Sequence, residues 1–113
     1  MGTATSRVTS QTETCCTPLS EAPLAEVDAV ALAHTYAALA DPVRLRLLSM
    51  IAAAGEMCSC DLMAPLSKSQ PTVSHHTKIL ADTGLITGNK RGRWVYWRIE
   101  PSRAGFVQQV LGI

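Results

Sequence analysis

No stretch of this sequence approaches the roughly 20 consecutive apolar residues that span a bilayer. Its start has neither the charged segment nor the apolar run of an export signal. The chain is therefore expected in the cytoplasm, with no membrane partner. Aromatics are scarce, with one Phe, two Trp and two Tyr in 113 residues. Also missing are a glycine loop that cradles phosphate, a Ser/His/Asp order and paired carboxylates, so an enzyme is not expected. The length fits one small domain.

What is present is unevenly distributed. Up to Pro65 there are three basic residues (Arg7, Arg44, Arg46) against seven acidic ones, a net −4; beyond it seven basic residues face Asp82 and Glu100, a net +5. The near-neutral total thus hides a basic half that is the candidate surface for a polyanion, and a solvated charged face accounts for it equally well until a motif decides. Four cysteines fall in two close pairs, Cys15 with Cys16 and Cys58 with Cys60. In a reducing compartment such pairs bind metal or respond to redox state more often than they form a disulfide framework.

Residues 1–23 are rich in Thr and Ser with no apolar period, which predicts a flexible N-terminal arm carrying Cys15 and Cys16. Residues 24–113 form the expected folded domain. Residues 24–39 read as an alanine-rich helix suited to close packing against another helix. Asp41-Pro42 opens a second helix, with Asp41 as N-cap, Pro42 in the first turn and Val43, Leu45, Leu47, Leu48 and Ile51 apolar, ending near Gly55. A short helix at 61–66 follows, with Cys60 at its N-cap position. A further helix begins at Ser69 and ends before Gly84, its inner face carrying Val73, His76 or Thr77, Ile79 and Leu80. Together these two make a helix-turn-helix.

Beyond it, LITGNK and RWVYWRI predict two strands around a turn at Arg91-Gly92, because Trp94, Tyr96 and Arg98 alternate with Val95, Trp97 and Ile99. Three of the four Trp and Tyr residues lie here. A basic ribbon (Lys90, Arg91, Arg93) behind a helix-turn-helix is a wing, so the fold class is mainly α with a β-hairpin wing, a winged helix-turn-helix. The tail carries Phe106, Val107, Val110 and Leu111 on one face of a last short helix.

The outer face of the helix from Ser69 presents Gln70, Ser74 and Lys78, joined by Thr72 and His75. Amides and hydroxyls read base edges in the major groove, while Lys78, Lys90, Arg91 and Arg93 suit phosphate. Double-stranded operator DNA is the expected partner. Adjacent helical residues point roughly 100° apart, so His75 and His76 do not share an ion; His75 reads as a DNA contact and His76 as interior. One module this small buries little DNA surface, so a homodimer is expected through the apolar faces of the terminal helices.

Cys58 and Cys60 share a face only if the backbone between them is extended or straddles a helix start, where the dipole favours the thiolate. Adjacent Cys15 and Cys16 suit a large ion with permissive geometry better than tetrahedral zinc. All-thiolate ligation by these four residues points to a soft ion: three sulfurs suit pyramidal As(III) or Pb(II), four suit Cd(II), and Sb(III) belongs with As(III). A redox switch pairing Cys15 or Cys16 with Cys58 or Cys60 would use the same residues.

The segments ALADPVRLRLLSMI, MCSCDL, SQPTVSHHTKILADTGLI and GRWVYWRI together resemble the ArsR/SmtB family of metal-sensing repressors, arsenite-sensing type. The resemblance spans about residues 24–111 in the family's order. It implies a homodimeric winged-helix repressor that leaves its operator when the inducing ion binds, with the recognition helix on 70–80 and the wing on 87–98. CSCDL is similar to the family's CVCDL thiolate motif. The family's second, zinc-type site on the last helix needs Asp, His and Glu, none of which occurs in SRAGFVQQVLGI, so that site is not expected.

Overall fold

The computed structural model describes residues 17–113. Five helices and a small sheet follow one another: α1 (Glu26–Leu39), α2 (Pro42–Ala54), β1 (Met57–Cys58), α3 (Ser59–Leu66), α4 (Gln70–Asp82), β2 (Ile86–Arg91), β3 (Trp94–Ile99), a 3-10 turn (Pro101–Arg103) and α5 (Ala104–Leu111).

α2 starts and stops as its residues require. The Asp41 carboxylate accepts the Arg44 backbone N–H at 3.0 Å, Pro42 occupies the first turn, and Gly55 ends the helix at φ 87°. Leu47, Leu48 and Ile51 are fully buried, each worth about 1.5–3 kcal/mol of hydrophobic stabilisation. Around them gather Leu62 and Leu66 of α3, Val73 and Leu80 of α4, Leu85, Ile86 and Val107 of α5. α3 and α4 meet at Ser67, which caps α3 in the left-handed region at φ 55° and turns the chain into the second helix.

α1 departs from the expectation of close packing. Only Thr35, Ala38 and Leu39 are buried, while Val27, Val30 and Tyr36 are exposed. Among the described residues, what α1 buries lies in its last two turns. Its end is tied down by the Arg44 Nε–H, which donates to the Ala38 carbonyl at 2.5 Å, and by Tyr36, whose ring meets Phe106 of α5 edge-on at 5.9 Å.

The sheet has three strands, not two, in the order β1-β3-β2, all antiparallel. Met57 pairs with Trp97 and Cys58 with Tyr96. The hairpin turn sits at Gly92-Arg93, one residue later than expected, because Arg91 still pairs with Trp94 and Gly92 takes φ 64°. Gly88 faces Trp97, and a Cβ there would lie 2.8 Å from both the Trp97 ring and Val95. The missing side chain is what lets the indole lie across β2.

Candidate nucleic-acid interface and thiol site

α4 is anchored by Val73, Thr77 and Leu80, which leaves Gln70, Ser74, His75 and Lys78 exposed and Thr72 half-exposed on the outer face. Ser69 holds the N-cap position, but its hydroxyl donates to Thr72 Oγ1 at 3.2 Å and makes no cap to the backbone. Lys78 pairs with Asp82 one turn on, at 3.4 Å, with both side chains largely in solvent. His76 is half-buried, not interior. Its Nδ1 accepts from the Arg44 guanidinium at 3.2 Å, which joins the back of α4 to α2. Burial holds this imidazole below its ordinary 6.5, opposed by Asp41 and reinforced by Arg44. The Asp41 carboxyl is lowered too, chiefly by the Arg44 backbone N–H.

The wing cations are more constrained than the sequence suggests. Arg91 grips Glu56 with both guanidinium nitrogens, at 3.0 and 2.8 Å, and lies over the Tyr96 ring 4.5 Å from its centroid. Arg93 lies over Trp94 at 5.3 Å. Lys90 and Arg93 are exposed, and among the described residues neither has a carboxylate partner.

At the other end of the helix-turn-helix, the N-cap of α3 is Cys58 and not Cys60. Pairing with Tyr96 holds Cys58 extended, so the helix begins two residues earlier than its polar pattern suggests. The Cys58 sulfur accepts the Cys60 N–H at 3.2 Å, and the Asp61 carboxylate reaches back to the Cys58 N–H at 3.3 Å, a capping box in which sulfur replaces the usual hydroxyl. Straddling the helix start turns both sulfurs to one side, where they are joined as a disulfide. Cys58 is buried and Cys60 exposed. Both sulfurs and an Asp61 oxygen lie within 4.8 Å of one another; once reduced to thiolates, the sulfurs are a soft donor pair beside one hard oxygen. Cys15 and Cys16 lie outside the described residues.

Ser59 escaped the sequence reading. It is buried between the cysteines, donates to the Val95 carbonyl at 3.3 Å and accepts the Trp97 indole N–H at 3.1 Å. Glu56 was missed as well, since nothing local marks a partner 35 residues away. Asp61 had a signal, its capping-box spacing from Cys58.

A core-anchored helix presenting amides and hydroxyls outward, followed by a ribbon with a cationic tip, defines a winged-helix transcriptional regulator rather than an enzyme. Comparison with known proteins narrows the class. The model of the "Bacterial regulatory protein, arsR family" matches residues 41–87. The arsenic resistance transcriptional regulator ArsR2 of Pseudomonas putida is 36% identical over 78 residues, 69% of this chain and 68% of that one. The arsenical resistance operon repressor of Escherichia coli is 36% identical over 73 residues, 65% of this chain and 62% of its own length. Among solved structures, the antimony-specific transcriptional repressor AntR superposes with a TM-score of 0.70 at 25% identity, over 83% of this chain and 86% of that one. The chain belongs to the arsR family of bacterial regulatory proteins.

Proposed function

We propose that the chain is a metal-responsive repressor that binds double-stranded operator DNA as a homodimer and leaves it when As(III), or Sb(III) in its place, is taken by cysteine thiolates. The observation that carries this reading is the convergence of the Cys58 and Cys60 sulfurs at the start of α3, the helix that supports α4. Arsenic and antimony in the names of the relatives agree with the soft donor set. A third sulfur for a pyramidal ion comes from Cys15 or Cys16 in this reading, and Cd(II) or Pb(II) would draw on the same residues. Ser69, Gln70, Thr72, Ser74 and His75 meet the major groove, with Lys78, Lys90, Arg91 and Arg93 on phosphate. The exposed Val27, Val30 and Tyr36 of α1 support the dimer, since an apolar stripe of this kind is normally covered.

A release titration on reduced protein bound to its own promoter DNA tests this. Release by arsenite at about one ion per subunit is expected; preferential release by cadmium would move the reading to a four-sulfur site. A second reading, thiol redox control, rests on the Cys58–Cys60 disulfide, a pairing other than the expected one of Cys15 or Cys16 with Cys58 or Cys60. It requires release by peroxide and recovery on reduction, with arsenite inert.

A further inference from the structure

Cys58 of the cysteine pair and the wing are parts of one sheet, and Cys60 follows two residues on in α3. Cys58 pairs with Tyr96, Ser59 bonds both Val95 and Trp97, and Glu56, two residues before Cys58, holds Arg91 in a two-point ion pair. Arg91 in turn covers the Tyr96 ring. An arginine so held has its donors committed to a carboxylate and cannot offer the same fork to phosphate. Both side chains keep substantial exposure, 48% for Arg91 and 37% for Glu56, so the pair can open at modest cost.

We propose that Arg91 exchanges partners, Glu56 in the DNA-free chain and a backbone phosphate on the operator, and that Glu56 is the positioning residue through which the cysteine pair governs the wing. The proposal rests on the repressor reading above. Gathering the two sulfurs fixes the two-residue strand that Glu56 precedes, and the carboxylate held there keeps Arg91 off the DNA. The signal therefore leaves the thiol site through the wing sheet as well as through α3. Arg91, of the three wing cations, is the one whose contact with phosphate is conditional.

A double-mutant cycle on operator affinity decides this, using the full-length reduced protein with Glu56→Gln, Arg91→Ala and both together. Without any ion, Glu56→Gln should tighten operator binding up to about fivefold per subunit, the scale of an exposed ion pair, and should do nothing in the Arg91→Ala background. With arsenite, Glu56→Gln should shrink the ratio of operator Kd with and without the ion, while the number of arsenite ions bound per subunit stays at the wild-type value. Equal tightening with and without Arg91 would reduce Glu56 to a general negative charge and overturn the proposal, as would no tightening at all. A wild-type complex that arsenite and cadmium both leave intact would sink the repressor reading instead, and the ion-free cycle would still decide the partner exchange.

Discussion

The two surfaces assigned to DNA are held in different ways. α4 is set by the core: Val73, Thr77 and Leu80 sit among the leucines of α2 and α3, and its outer polar residues owe their position to that burial. The wing buries far less. Residues 94–97 of β3 are only half-buried, and their placement depends on polar links to the segment 56–59 and on an indole laid over a glycine. α4 is thus as rigid as the fold, whereas the wing is as rigid as the cysteine segment beside it. A regulator needs this division, because a signal that loosened the core would unfold the protein rather than release it.

The comparison breaks most severely in the core. Leu80→Ala should cost about 2–5 kcal/mol in urea unfolding and take operator binding with it; an unchanged midpoint would show that α4 is not fixed by packing. Gly88→Ala should cost about 1–3 kcal/mol as the indole is displaced, and should weaken the wing while far-UV helicity stays intact. Loss of helicity in that variant would mean the two surfaces are not separable.

The third test is pH. His76 has a depressed native pKa, so below its ordinary 6.5 the unfolded chain binds a proton that the native chain resists. Stability is complete above that value and falls as pH drops from 6.5 toward the native pKa, and protonation also removes the acceptor for Arg44. Chemical unfolding at pH 7.5 and 5.5 should show the decline, flattened in His76→Gln. Asp41, lowered as well, adds a separate loss only as pH falls below its ordinary 3.8. The smallest effect belongs to Asp82→Asn. Its pair with Lys78 is exposed, so stability should move by less than about 0.5 kcal/mol, while freeing Lys78 for phosphate.

Much of this was legible in the chain. Asp41-Pro42 and Gly55 bracket α2 because caps act locally, and the spacing of Val73 and Leu80 marks the buried side of α4, but the spacing left His76 and Thr77 open and it is Thr77 that is buried, with His76 and Ile79 half-buried. The wing was one residue out of phase, since Arg91-Gly92 and Gly92-Arg93 are equally good turns until pairing with Trp94 chooses between them. β1 could not be read, because two residues have no period; only the partner strand makes Met57 and Cys58 a strand. That same pairing moved the N-cap from Cys60 to Cys58. The Glu56–Arg91 and Ser59–Trp97 links join residues 35 and 38 apart, a separation at which sequence spacing has no say.

The sheet also has a bearing on how the molecule behaves in a crowded solution. Its two outer strands are poor templates for another chain: β1 offers a rim only two residues long, and β2 ends in Lys90 and Arg91. Short or cationic rims discourage strand addition. Open-ended stacking of sheets from one copy to the next is thereby disfavoured.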